Sequence, residues 1–158
     1  MKILIVMRGS NEIIDLLVFC ERRKEMNDAI TRVFANKDEI ISKTKSYQQL
    51  NTNKIPYDHA KECSNMCDYF DKNFSDDEIM VIQSIMYFGR ECYCGNKDEY
   101  NGTISDVISI WMKILFFSFG KKIDKDIEIF QMVGKSQKIG TYFEFGFEEL
   151  CRRSSNEI

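Results

Sequence analysis

A chain of 158 residues, 44% hydrophobic and 30% charged, has the composition of one globular domain rather than of a disordered or fibrous protein. The net charge of −3 argues against the basic face of a dedicated nucleic-acid binder and is too mild for a mimic of DNA. A domain of this size buries about 70% of its unfolded surface, so it needs neither disulfides nor a metal to be stable.

No segment reads as a signal peptide or a membrane span. The opening run Met1–Met7 is apolar for five residues before Arg8. The strongest apolar stretch, Ile104–Phe119, holds Asp106 and Lys113 and falls short of the ~20 residues a span requires. A cytoplasmic location is therefore expected, with the six cysteines as reduced thiols.

A single proline, Pro56, leaves long helices unobstructed. Lys2–Met7 is either a short buried strand or the start of a helix, followed by a break and an N-cap at Gly9-Ser10-Asn11. Apolar residues at helical spacing then run from Ile13 to about Ala35, and Asp38–Leu50 is a more polar helix. Asn51–Pro56 is the clearest loop. It separates a helical arm (1–50) from a helical body (57–153) within a single domain.

Tyr57–Phe74 reads as a helix, and Ser75-Asp76-Asp77-Glu78 as a capping box in which Ser75 and Glu78 each accept the other's backbone N–H. The helix it opens carries Ile79, Ile82, Ile85 and Met86 on one side and is expected to end near Gly89–Gly95, with Gly89 in a left-handed cap. Asn101-Gly102-Thr103 is a turn. Ile104–Phe119, apolar nearly all round, is expected to be the central buried helix, ended by Gly120 with Lys121-Lys122 beyond. Asp124–Val133 follows with Ile123, Ile127 and Phe130 inward, and Gly134 and Gly140 bound a linker. In Thr141–Arg153 the alternation of Phe143, Phe145 and Phe147 fits a strand, while Phe143, Phe147 and Leu150 fit a helix face; helix is the reading adopted. The expected fold is mainly α, a single bundle of about six or seven helices with room for a short N-terminal strand.

His59, Cys63 and Cys67 stand at i, i+4 and i+8 and would line one helix face. If the next helix folds back antiparallel, Cys92 and Cys94 come near them, and thiolate with imidazole is the donor set zinc prefers. The spacing is that of no standard zinc finger, and a stripe of Cys and Ala is also what a helix core face looks like. Because His59 is the sole histidine, a Cys-dependent enzyme would have to pair it with Cys63. No phosphate loop, dinucleotide fingerprint or serine elbow occurs, so no catalytic residue and no cofactor other than zinc is indicated.

The helix end Tyr87-Phe88-Gly89-Arg90, preceded by the acidic start at Ser75, and the closing segment Thr141-Tyr-Phe-Glu-Phe-Gly-Phe-Glu-Glu-Leu150 resemble an uncharacterised bacterial family of small helical proteins. That family has an aromatic-x-Gly-Arg-Gly-Asp type segment and a closing Gly-hydrophobic-x-x-Leu. The resemblance spans residues 60–150. Here Glu91 and Cys92 stand in place of Gly-Asp, and no tryptophan precedes Gly89. The resemblance implies a helical fold and no particular activity.

The function expected is non-catalytic protein binding, with a protein partner or a second copy of the chain as a homodimer, and Tyr87, Arg90, Phe143 and Phe147 as contact residues. A specific form of this is an inhibitor, carried by a phage or mobile element, of a host defence nuclease, in the manner of anti-CRISPR proteins; Ile, Lys and Asn usage fits an AT-rich genome. The alternatives are a zinc-stabilised domain and a Cys-dependent enzyme.

Overall fold

The computed structural model describes residues 10–53, 56–116, 122–135 and 137–155, with side chains from residue 21 onward. Among these are seven α-helices: α1 (Ser10–Ala35), α2 (Lys37–Thr52), α3 (His59–Asn73), α4 (Asp76–Tyr93), α5 (Ile104–Phe116), α6 (Lys125–Val133) and α7 (Ile139–Ser155), with one 3₁₀ turn at Lys97–Glu99. The protein is a mainly-α bundle, and none of the described helices is long and apolar enough to cross a membrane. The expectations for Lys2–Met7, for Gly9, for the inward residues between Ile13 and Cys20, and for Phe117 to Lys121 lie outside the described residues.

Most helix boundaries follow from local chemistry. Ser75 Oγ accepts the Glu78 amide (3.3 Å), and the acidic first turn Asp76-Asp77-Glu78 suits the positive end of the α4 dipole. The other half of the expected box is not made: the Glu78 carboxylate turns to Arg32 on α1, 3.4 Å away. Asp58 and Asp124 cap α3 and α6 by accepting the amides of Lys61 and Ile127. Asn36 breaks α1 from α2, its side chain donating to the Arg32 carbonyl (2.8 Å). Helix α2 runs on to Thr52 and α3 begins at His59, so the connection falls two residues later than the sequence indicated.

The centre of the bundle is α4, not the segment from Ile104. Ile79, Met80, Val81, Ile82, Ile85, Met86 and Phe88 are all fully buried, because α7, α1, α5 and α6 surround this helix. Its polar Ser84 is buried too and donates to the Met80 carbonyl (2.8 Å). Helix α5 is the more apolar of the two but lies at the periphery. Its Val107, Ile108, Trp111 and Met112 face the core, while Ile110 and Ile114 are exposed. Burial follows the number of neighbouring helices, not hydrophobicity alone.

Helix α6 is likewise rotated from the expected face. Ile129, Met132 and Val133 are buried, whereas Ile127 and Phe130 are 53% and 64% exposed. Both sets have i, i+3 spacing, so periodicity alone cannot choose between them. In α7, Phe143, Phe147 and Leu150 do face the core.

Helices α1 and α2 are built into the same core: Met26, Ala29, Ile30 and Val33 of α1 and Ile40 and Tyr47 of α2 join the buried cluster. Gln48 on α2 grips the start of α7, accepting the Thr141 amide and donating to Thr141 Oγ1, each at 2.9 Å. Lys45 pairs with Glu144 one turn on.

The tightest contact is the crossing of α4 and α7. Gly89 is buried in mid-helix, not at a left-handed cap; that conformation belongs to Gly95, at φ +87°. A Cβ on Gly89 would overlap the Tyr142 carbonyl oxygen, and one on Gly146 would lie 2.5 Å from the Ile85 carbonyl oxygen. Two glycines thus let the backbones meet, which side chains would forbid.

Candidate functional site

The expected Cys and His residues do not converge. His59 opens α3, and its Nδ1 lies 2.5 Å from the Tyr57 hydroxyl. That hydroxyl donates to Asn51 Oδ1. Cys63 is tied to Cys67 and Tyr47 rather than to His59. Burial, then the neighbouring Cys63, pushes the Cys67 thiol up to about 11 and the Tyr47 phenol up to about 12.

Helix α3 packs on α6 and α2 instead of folding back along α4, so Cys92 and Cys94 lie elsewhere. Cys92 is half-buried near Glu149, and its thiol is pushed up to about 11, by burial first and then by that carboxylate. Cys94 is exposed at the end of α4. Among the described residues no three His, Cys, Asp or Glu side chains are grouped as a metal site requires. With their thiols near 11, Cys67 and Cys92 stay protonated at neutral pH and are poor nucleophiles.

Of the expected contact residues, Phe143 and Phe147 belong to the core. They are 0% and 1% exposed, with Phe143 stacked on Phe70 (6.3 Å) and Phe147 edge-on to Phe34 (5.3 Å). No partner reaches them without unfolding α7. Tyr87 and Arg90 are half-buried on the last turns of α4, the guanidinium 4.9 Å from the Tyr87 ring centre.

Around Tyr87 and Arg90 the fold gathers residues that the sequence reading missed. Tyr93, 44% exposed, meets Tyr142 (6.0 Å) and Phe145 (5.5 Å), itself 40% exposed. From the turn between α6 and α7 come two lysines. Lys138 Nζ lies 5.0 Å from the Tyr93 ring centre and 3.1 Å from its hydroxyl, and Lys135 Nζ lies 6.0 Å from the Tyr87 ring. Gly134, Lys135, Gln137, Lys138 and Tyr142 line a shallow hollow of about 320 Å³.

Part of this surface was within reach of the sequence. Once α7 is a helix with Phe143 and Phe147 inward, Phe145 lies about 200° round the axis from Phe143 and must face out. The lysines carry no comparable signal, because their neighbours belong to a distant helix.

Beside this surface Glu149, 7% exposed, is enclosed by cations. Arg152 Nε donates to it at 2.9 Å and Arg153 Nε at 3.0 Å, and Lys97 Nζ lies 3.9 Å away. Arg153 also donates to the Lys97 and Tyr100 carbonyls, so the cluster ties the end of α7 to the 3₁₀ turn. The Arg152 hydrogen bonds above all hold the Glu149 carboxyl down at about 2. Each charge here is satisfied, which makes it a clamp rather than a site.

No family model, curated protein or solved structure matches this chain.

Proposed function

We propose that this protein acts by binding another protein through the surface formed by the end of α4, the α6–α7 turn and the start of α7. The observation that carries this reading is the exposed Tyr93–Phe145 pair, with Lys138 over the Tyr93 ring and Arg90 over the neighbouring Tyr87 ring, beside the close helix crossing. Tyrosine, phenylalanine and arginine are the residues enriched where protein interfaces form. Their support is the glycine crossing, so little ordering cost is incurred on binding. An inhibitor of a host defence nuclease is a specific form of this function, distinguished by the identity of the partner.

A photo-reactive phenylalanine analogue placed at position 145 tests the reading in lysate of the producing or host cell. One protein adduct is expected, lost when Tyr93→Ser is added, with none from the same analogue at position 130 on α6. Absence of a protein adduct from position 145, or the same adduct from position 130, overturns the proposed surface.

A further inference from the structure

We infer that the partner presents an acidic segment to this surface, its carboxylates set between Lys135 and Lys138 and an apolar side chain against Tyr93 and Phe145. The inference rests on the protein-binding reading above and adds the chemistry of the occupant.

The first ground is charge. Among the described residues no carboxylate pairs with Lys135 or Lys138, whereas Arg90 already has Glu91, 3.3 Å away. Both lysines are exposed and line one shallow hollow. They are uncompensated cations in a chain of net charge −3, so the local field here is opposite in sign to the whole. An anionic group is the complement.

The second ground separates a protein acid from a nucleic acid. Single strands bind by laying bases on open aromatic faces along a basic groove. Here Lys135 and Arg90 lie over Tyr87, and Lys138 lies over Tyr93. A base stacking on Tyr87 or Tyr93 would have to displace an ammonium or guanidinium from that ring. A carboxylate needs no displacement: it meets the ammonium from the solvent side. Phe145, 40% exposed, remains for an apolar side chain.

Titration of the whole chain, followed by amide chemical shifts, tests this with three probes: a peptide of alternating Glu and Phe, the same peptide with Lys for Glu, and oligothymidylate. Saturable shifts clustered at Tyr93, Lys135, Lys138 and Phe145 are expected with the Glu peptide alone at millimolar concentration. Affinity should fall about tenfold on raising the salt from low to physiological strength. The double variant Lys135→Glu, Lys138→Glu should abolish the shifts while keeping its melting temperature.

No response to the Glu peptide, an equal response to the Lys peptide, or tighter binding of oligothymidylate overturns the acidic occupant. If a protein adduct still forms at position 145, the binding surface stands and only its charge preference fails. If neither occurs, both readings fail. A variant that loses the shifts and its melting temperature together is replaced by Lys138→Gln, for which a several-fold weaker response is expected; an undiminished response counts against the inference.

Discussion

Gly89 and Gly146 lie against each other where α4 crosses α7, the Cβ that Gly146 would carry falling 3.3 Å from the Gly89 Cα. The crossing holds the most buried helix to the helix that carries Phe143 and Phe147, and it places the two halves of the candidate surface side by side. Glycine costs a helix roughly 1 kcal/mol against alanine in propensity. Two glycines in helix interiors are repaid here by backbone contact that no larger residue permits.

Gly89→Ala is therefore expected to destabilise the protein by about 3 kcal/mol, the steric overlap with Tyr142 outweighing the gain in propensity. Gly146→Val should be at least as damaging. Gly134→Ala is the comparison: that glycine has φ −61°, and its nearest neighbour to an added Cβ is a carbonyl at 3.3 Å, so a change within about 1 kcal/mol is expected. Urea unfolding midpoints of the three variants decide it. Gly89→Ala as stable as the parent would mean that the helices do not cross so closely.

The same glycine shows what a sequence makes visible. Ser75 is recognisable as a cap because its partner, the Glu78 amide, is three residues away. Gly89 is not recognisable as a crossing point because its partner is on α7, and a glycine near the end of an apolar run reads equally as a cap. The faces of α5 and α6 fail for a related reason. Each has two apolar stripes, and only the neighbouring helices select Ile108 over Ile110 and Ile129 over Ile127. At the site, Tyr87 and Arg90 were accessible as a helix end, but Lys135 and Lys138 gain meaning only once the α6–α7 turn lies beside α4.

Glu149 predicts a pH dependence. Its folded pKa, about 2, lies below its ordinary 4.5, so the carboxylate contributes stability that is fully present above about 4.5 and lost as pH falls toward 2. The shift corresponds to on the order of 3 kcal/mol, and less in practice because Arg152, its first hydrogen-bond donor, is 56% exposed and screened by water. Glu149→Gln should lower stability at pH 7 by about 2 kcal/mol and flatten the decline between pH 4.5 and 2. Unfolding curves at a series of pH values check this. Parallel profiles for variant and parent would assign the acid sensitivity to other groups.

The thiols should react in an order set by the fold. Cys67 and Cys92, both pushed up to about 11 by burial, are almost wholly protonated at neutral pH, while Cys94 is exposed. Iodoacetamide should alkylate Cys94 about tenfold faster than either of the others in the native protein, and the difference should vanish in denaturant. Peptide mapping over a time course measures it. Cys67 or Cys92 modified ahead of Cys94 would show that the thiol is activated, and would bring back a nucleophilic role.

Phe143 and Phe145 provide the closest test of how α7 is oriented. They are two residues apart in an aromatic run that fits a strand as well as a helix, yet one is 0% and the other 40% exposed. Phe143→Ala removes a ring packed on Phe70 and Phe147 and should cost about 4 kcal/mol. Phe145→Ala loses an edge contact with Tyr93 and should cost no more than about 1 kcal/mol. In a strand, 143 and 145 would share one face, and the two losses would be alike. Unequal thermal stabilities, with Phe145→Ala also losing the photo-adduct partner when the analogue is moved to position 93, would place Phe143 in the core and Phe145 on the binding face.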